Sequence, residues 1–196
     1  MRNPEFTKEE ILKKSGLLFN TQGYKATSIS NITDATGFTK GAIYRHFENK
    51  EDLERETLFH LSTLMFGHLQ KRIKAKDTAG EKLRALFRFF ESYATNPPLK
   101  GGCPLLNAAI EADDSHPVLR KAAVKVLNIL RASVIKLLDN GIRYRQIEPN
   151  IDKEFYATII IASLEGAIMM SKLHGNNEDM KRVLKHLETQ LRAIEI

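Results

Sequence analysis

Apolar residues recur every three or four positions along most of the chain, and signals for helix ends separate the segments that show this spacing. The best-defined segment begins at Thr78 and Glu81, which form a capping box, and stops at Asn96-Pro97-Pro98. Its apolar stripe is Leu83, Leu86, Phe87, Phe90 and Tyr93. No segment shows a convincing alternation of apolar and polar residues bounded by turn signals. The pattern therefore predicts an all-α fold of about nine helices.

Capping residues, glycines and prolines predict the other helix ends. Thr7 and Glu10 form a capping box at the start of the first helix, with Phe6 packed against Ile11, and Gly23 ends this helix. Asn49 is expected to begin a long helix, and residues 105–112 are expected to form a short one. The helix after it is expected to begin at Pro117 and to end at Asn140-Gly141. The last two helices are expected to begin after Asp152 and Asn177.

The most apolar segment, from Phe155 to Met170, raises the question of a membrane span. It is shorter than the roughly 20 residues that cross a bilayer, and Glu165 interrupts it. We therefore expect no membrane contact, and we expect this segment to form a helix that is buried on nearly all sides.

Two very short helical segments, residues 28–36 and 40–47, are separated by Gly37-Phe38-Thr39. This arrangement is typical of a helix-turn-helix. An advance of about 100° per residue places Ile43 and Phe47 together on the inner face of the second segment. The opposite face is then free to meet a partner.

That opposite face suits the major groove of DNA. Gly41 and Ala42 are small enough for the backbone to approach, and Arg45 is a long donor for base edges. Phosphate contacts are expected from side chains at the flanks and from the residues that begin the two helices, namely Lys40, Tyr44, His46, Ser28 and Thr39.

Lys50 lies in the first turn of the long helix, where a cation opposes the helix dipole. A phosphate reverses this preference, because the ammonium group and the helix N-terminus attract the same anion. The alternative is an ordinary solvated lysine. We predict a phosphate contact, because Lys50 follows the other phosphate-seeking residues so closely.

Composition and charge permit this function without requiring it. The net charge is +6, from 30 Lys and Arg less 24 Asp and Glu, and a solvated surface with extra lysines would explain it equally well. The start of the chain does not resemble a signal peptide, and a single cysteine suits a reducing compartment, so we expect a cytoplasmic protein. We expect neither an enzyme nor a bound cofactor or metal, because the chain lacks a phosphate-binding loop, paired histidines at metal-ligand spacing and a nucleophile motif.

The stretch "LLFNTQGYKATSISNITDATGFTKGAIYRHFENKEDL" resembles the DNA-binding domain of the TetR family of transcriptional repressors. The shared order covers about a quarter of the chain and comprises Phe19, Gly23, Thr27-Ser28, Ile32, Gly37, Gly41, Tyr44, His46-Phe47 and Lys50. One departure is Thr33, where the family usually has alanine.

This resemblance implies a DNA-binding domain over residues 1–50 and a helical domain over residues 51–196 that binds an effector and forms a homodimer. It also implies an operator with two-fold character and a repressor that leaves the operator when a small molecule binds. The segment "GGCPLLNAAIEADDSHPVLRKAA" is similar to ligand domains of some family members, but such domains vary, so it identifies no effector.

Several residues of the second domain are candidates for ligand contact, and each has a plainer alternative. They are Leu64, His68, Phe87, Phe90, Tyr93, Cys103, Asn107, Glu111 and Glu165. The apolar members and His68 are more simply explained as interior residues, and Asn107 and Glu111 are explained equally well as an exposed face. Glu165 needs a partner in so apolar a helix, either an effector cation or an internal Lys or Arg. Cys103 lies in a loop where its thiol can be accessible.

The last two helices are expected to pair with their copies across a two-fold axis. Ala162 and Gly166 permit close approach of the helix that begins near Asp152. An apolar stripe on the final helix consists of Val183, Leu184, Leu187 and Leu191.

Overall fold

The computed structural model describes residues 4–112 and 116–196, and within them the chain forms nine α-helices. These are α1 (Pro4–Gln22), α2 (Ile29–Thr36), α3 (Lys40–Tyr44), α4 (Lys50–Lys74), α5 (Ala79–Thr95), α6 (Pro104–Ala112), α7 (Pro117–Arg143), α8 (Lys153–His174) and α9 (Glu178–Arg192). The only extended pairing in these ranges is one isolated bridge between Ile147 and Glu195. The predicted all-α fold is confirmed.

The helices form two compact units. The first unit extends to Met65 and resumes from Leu99 to Leu127, and it holds α1, α2, α3, α6 and the first parts of α4 and α7. The second unit comprises Phe66–Pro98 and Asn128–Ile196, and it holds α5, α8, α9 and the rest of α4 and α7. The functional division at residue 50 stays a prediction.

Several helix ends lie where the capping signals place them. The Thr78 hydroxyl accepts the N–H of Glu81 at 3.2 Å, and the Glu81 carboxylate accepts the N–H of Thr78 at 3.1 Å. Asp152 accepts the N–H of Phe155 at 3.0 Å. Gly23 has a φ of +99°, which favours glycine, and it follows the last residue of α1. Local side-chain chemistry therefore sets these boundaries.

Two predicted helix ends are wrong. α1 begins at Pro4, so Thr7 lies inside the helix and does not cap it. α7 continues through Asn140-Gly141 to Arg143. Gly141 serves close packing instead of capping, because a Cβ atom there would lie 2.6 Å from the Cδ1 atom of Ile147.

Asn177 precedes α9 as predicted, but its side chain makes no capping hydrogen bond. The neighbouring Asn176 takes that role, since its side-chain oxygen accepts the N–H of Glu178 at 3.0 Å. The prediction was therefore right about the boundary and wrong about the residue that satisfies it.

α8 buries only one face within the second unit. Ile160, Leu164 and Ile168 are at most 5% exposed, whereas Phe155 is 54% exposed and Met169 is 44% exposed. The expectation of burial on nearly all sides is therefore wrong. By length and composition alone this is the one described helix that could cross a membrane, and 39% of its most apolar window is buried inside the chain. An exposed apolar helix face is also typical of a protein–protein contact.

Arg84 joins α5 to the end of the chain. Its guanidinium donates to Glu188 at 2.9 Å and to Glu195 at 2.6 Å. Hydrogen bonds to Glu195 and Glu188 raise the pKa of Arg84, and the bond from Arg84 lowers the pKa of Glu188. A Cβ atom at Gly80 would collide with Glu195, so the glycine leaves room for this ion pair. The arrangement fixes α9 against α5.

Candidate nucleic-acid interface

Both ends of α2 are fixed by hydrogen bonds. The Ser28 hydroxyl accepts the N–H of Asn31 at 3.2 Å, and the Ser28 N–H donates to the Asn31 side chain at 2.8 Å. Gly37 has a left-handed φ of 70°, and its N–H donates to the Thr33 carbonyl at 2.8 Å. Ile32 is fully buried. The helix therefore ends in a defined turn that leads into α3.

α3 is a short helix anchored by two buried side chains. Thr39 caps it, because its hydroxyl accepts the N–H of Ala42 at 3.2 Å. Ile43 is 0% exposed and Phe47 is 2% exposed, which confirms the predicted inner face. The helix ends at Tyr44, earlier than the predicted residue 47, and the chain continues as a turn.

The outer face of α3 carries the side chains predicted to meet DNA. Lys40, Gly41, Tyr44 and Arg45 are exposed, and Ala42 and His46 are half-buried. The Lys40 ammonium lies 5.9 Å from the centre of the Tyr44 ring, a cation–π distance. A Cβ atom at Gly41 would meet nothing within 4 Å, so packing within the chain does not require glycine there. The division into inner and outer faces is confirmed, and the DNA contacts themselves stay predictions.

Lys50 has partners that the sequence analysis did not foresee. Its ammonium donates to the Tyr24 carbonyl at 2.8 Å and lies 3.1 Å from the Glu54 carboxylate. The side chain is 33% exposed, so Lys50 is not the ordinary solvated lysine of the alternative interpretation. The helical spacing of Lys50 and Glu54, four residues apart, was a signal that could have revealed this pair.

Glu54 is a buried carboxylate between two basic groups. Its side chain is 1% exposed, and its second oxygen lies 2.7 Å from the Nε2 atom of His116. Burial raises the pKa of Glu54, and Lys50 and His116 oppose that rise. The cluster ties the start of α4 both to the turn before α2 and to the start of α7.

Glu111 also supports the segment that leads into α2. Its two carboxylate oxygens accept the N–H of Tyr24 at 3.0 Å and the N–H of Lys25 at 2.9 Å. A Cβ atom at Gly23 would lie 2.8 Å from the same carboxylate. The expectation of a cavity or an exposed face for Glu111 is therefore wrong, because α6 uses this side chain to hold the turn between α1 and α2.

Asn107 makes a second connection of this kind. Its amide donates to the side-chain oxygen of Asn20 at 2.9 Å, and the Asn20 amide donates to the carbonyls of Lys100 and Gly102 at 2.8 and 2.9 Å. Asn20 is 5% exposed, and the sequence analysis did not single it out. These amides join α1 to the start of α6, so Asn107 does not face solvent or an open cavity.

The remaining ligand candidates do not form one site. Phe90 and Tyr93 are buried in the packing of α5, where both rings contact Phe89. Leu64 and His68 are exposed on α4, so their interpretation as interior residues is wrong. The buried stripe of α4 runs through Leu61, Met65 and Leu69, and Leu64 and His68 each lie one position before a stripe residue, at its exposed edge.

A cavity of about 210 Å³ lies in the second unit between α5, α7, α8 and α9, and Phe87 is the predicted ligand contact that lines it. Cys103 is 1% exposed, so the expectation of an accessible thiol is wrong. Glu165 is half-buried on α8. A ligand role for any of these residues stays a prediction.

A short helix, a turn through Gly37 and a second short helix with an exposed polar face define a DNA-binding protein of the helix-turn-helix class. Residues 11–57 match the family model described as bacterial regulatory proteins, tetR family, and residues 79–187 match the tetracyclin repressor-like C-terminal domain. The chain therefore belongs to the TetR family of transcriptional regulators.

Related proteins share the whole fold. A TetR transcriptional regulator from Chloroflexus aurantiacus J-10-FL has 35% sequence identity and a TM-score of 0.93, over 100% of this chain and 98% of that one. A TetR-family regulator from Cytophaga hutchinsonii has 30% identity and a TM-score of 0.92, with the same coverage. The HTH-type transcriptional repressor DhaR of Mycobacterium sp. (strain GP1) is 26% identical over 180 residues, which are 90% of this chain and 88% of the repressor.

Proposed function

We propose that α3 is the recognition helix of a repressor that releases its operator when a small molecule binds. Arg45 reads base edges, and Gly41 and Ala42 let the helix backbone approach the groove. Phosphates are held by Ser28, Thr39, Lys40, Tyr44, His46 and Lys50. The observation that carries this proposal is the outer face of α3, where exposed donors surround a glycine that internal packing does not require.

The effector is a small molecule that binds the helical domain. This assignment is supported by the match of residues 79–187 to the tetracyclin repressor-like C-terminal domain. The related DhaR is a repressor, which favours repression over activation for this chain. We infer a cytoplasmic regulator without enzymatic activity, because the established family consists of transcription factors.

The repressor acts as a homodimer through α8 and α9. Ala162 and Met169 are exposed, and a Cβ atom at Gly166 would meet nothing within 4 Å. Leu187 and Leu191 are only 2% and 3% exposed within one chain, so the predicted pairing stripe of α9 cannot use them. The surface available for pairing is instead the exposed face of α8 with the half-buried side of α9.

A mobility shift on DNA that flanks the gene tests the role of α3. We expect the parent protein to bind this DNA in preference to a scrambled duplex. Gly41→Leu should fold normally, because the position is open, but should reduce operator affinity by about 100-fold or more by obstructing the groove contact. Gly67→Leu is the matched control, since a Cβ atom at Gly67 also meets nothing within 4 Å.

Retention of parental affinity by a folded Gly41→Leu protein would contradict the assignment of α3. If the parent binds the flanking and scrambled duplexes equally, the operator lies outside the flanking fragment. Selection of sites from random duplex DNA then supplies the sequence on which Gly41→Leu and the parent are compared.

A further inference from the structure

The cavity of the second unit has an apolar floor made by several helices. Leu83 and Phe87 come from α5, Leu138 comes from α7, and Leu187 and Leu191 come from α9. All five side chains are at most 5% exposed. A molecule in this cavity would therefore exchange water for apolar contacts on most of its surface.

Three polar side chains line the same cavity. Tyr156 and Gln190 are half-buried and His186 is exposed, so these groups lie toward its solvent side. Each offers hydrogen-bonding atoms without a permanent charge. The described lining contains no carboxylate, lysine or arginine. Because an unpaired charge is costly to bury, this composition favours an uncharged ligand with one polar group.

The volume restricts the ligand further. An apolar protein cavity of about 150 Å³ holds benzene, and drug-sized ligands occupy about 300 Å³ or more. A cavity of about 210 Å³ therefore suits a single aromatic ring with one or two small substituents. A hydroxyl substituent complements the three polar side chains, since it both donates and accepts.

The mouth of the cavity belongs to the face of α8 that is exposed in a single chain. At about 100° per residue, Phe155, Ile159, Ala162, Gly166 and Met169 fall within one stripe of the helix. Phe155 and Ile159 line the cavity, and Phe155 is 54% exposed. The cavity is thus continuous with the surface proposed for pairing, and a second copy seated there would cover its mouth.

We propose that this cavity binds an uncharged single-ring phenol and that the second copy of the chain closes the site. The proposal rests on the homodimer of the proposed function. It makes the ligand site complete only in the dimer, so ligand binding and dimer formation strengthen each other.

Binding is tested on the purified protein with three probes of similar size, namely 4-methylphenol, toluene and 4-methylbenzoate. We expect 4-methylphenol to raise the melting temperature saturably, toluene to do so more weakly, and the charged 4-methylbenzoate to have no saturable effect. At least one of Tyr156→Phe, His186→Leu and Gln190→Leu should reduce the affinity for 4-methylphenol by about two- to tenfold. The same variant should leave the affinity for toluene within about twofold of the parental value.

Two further variants test whether the probe occupies the cavity. Ile160→Phe fills it from the inside and Ile159→Phe fills it at the mouth, and either variant that folds should abolish the effect of 4-methylphenol. Ile159→Val is the matched control and should keep the effect. Saturable binding that survives in a folded filling variant would overturn the proposal.

The role of the second copy is tested with Gly166→Glu, which places a charge on the pairing face, and with Gly67→Glu as control. We expect Gly166→Glu to be monomeric and to bind 4-methylphenol at least tenfold more weakly, whereas the control remains like the parent. In the parent, a saturating amount of the probe should strengthen dimerisation by the square of that affinity ratio, because the dimer holds two equivalent sites. Equal affinity in monomer and dimer would overturn closure by the second copy.

A dimer that binds operator but none of the three probes would overturn the proposed ligand. That result would leave the repressor assignment intact. Failure of the parent to select any DNA sequence would instead contradict the proposed function, whatever the probes do, so the two failures are distinguishable.

Discussion

At the residue scale, buried charge in the first unit is concentrated at Glu54. Its side chain is 1% exposed between Lys50 and His116, and burial raises its pKa. Removing one basic partner from such a carboxylate leaves a charge that water cannot solvate. Lys50 therefore supports the fold through Glu54, and we propose that its partly exposed side chain also contacts a phosphate.

The two roles of Lys50 can be separated by a double variant. Lys50→Ala alone should lower the free energy of unfolding by about 1 to 3 kcal/mol, because Glu54 loses its closest lysine. Lys50→Ala with Glu54→Gln should recover most of that loss, since no buried charge remains. If Lys50 holds a phosphate, the slope of log affinity against log salt should become shallower by about 0.9 per half-site in both variants.

Thermal melting and a salt series on operator and scrambled duplexes measure these effects. A double variant that melts like the parent and keeps the full salt slope would remove Lys50 from the DNA interface. A single variant that melts like the parent would show that the ion pair with Glu54 does not support the fold.

At the element scale, two glycines inside helices have opposite surroundings. A Cβ atom at Gly141 in α7 would lie 2.6 Å from Ile147 and 2.8 Å from Ala79, whereas one at Gly67 in α4 would meet nothing within 4 Å. Contacts this short force neighbouring atoms to move. Gly141 therefore serves packing, and the C-terminal cap of α7 lies further along, where Arg145 takes a left-handed φ of 55° and the N–H of Gln146 donates to the Gly141 carbonyl at 2.8 Å.

Alanine at each glycine tests this difference. Gly141→Ala should lower the free energy of unfolding by about 1 to 3 kcal/mol through overpacking. Gly67→Ala should have no such penalty, and its better helix propensity should raise stability by up to about 1 kcal/mol. Chemical denaturation measures both values. Equal effects at the two positions would mean that packing around Gly141 relaxes without cost.

Structural features that depend on residues close together in the sequence could be predicted from it. The capping box of Thr78 and Glu81 and the inner face of α3 follow from spacing within one helix, and both are confirmed. Glu111 and Asn107 were misjudged because their partners lie 86 and 87 residues away in sequence. No local pattern indicates that a carboxylate on α6 will hold the backbone before α2.

The sequence pattern also could not show which side of α8 faces the interior of the protein. Apolar residues surround the helix, so periodicity alone could not distinguish the face that packs on α5 from the face with Phe155 and Met169. In α9, the apolar residue Leu187 is predicted to pair with a second copy of the chain, but its side chain is buried within its own chain.

At the scale of the whole molecule, we propose that a second copy of the chain covers the exposed apolar stripe of α8. Exposed Met169 and Leu173 lie on this helix near Gly166, where an added Cβ atom would meet nothing within 4 Å. In this proposal, a two-fold contact removes the face from water and allows two α3 helices to bind one operator. The proposal therefore links assembly to DNA recognition.

A charge on this stripe of α8 should separate the two copies of the chain and thereby weaken operator binding. Gly166→Glu should be monomeric at micromolar concentration, because the carboxylate cannot be buried unpaired, while Gly67→Glu should match the parent. Light scattering gives the mass, and mobility shifts give the affinities. Gly166→Glu should weaken binding to the full operator far more than binding to one half-site. A monomeric parent, or a dimeric Gly166→Glu protein with full operator affinity, would contradict pairing through α8.

The recognition role of α3 is tested most directly by selecting sites from random duplex DNA with the purified parent and with Arg45→Ala. We expect the parent to enrich a two-fold symmetric sequence, bound about 1,000-fold or more tightly than random duplex. Arg45→Ala should melt like the parent and lose discrimination of about 1 to 3 kcal/mol at one base pair in each half-site. A parent that enriches no sequence would contradict the role of this chain as an operator-binding regulator, and an Arg45→Ala protein that enriches the parental sequence unchanged would contradict base readout by Arg45.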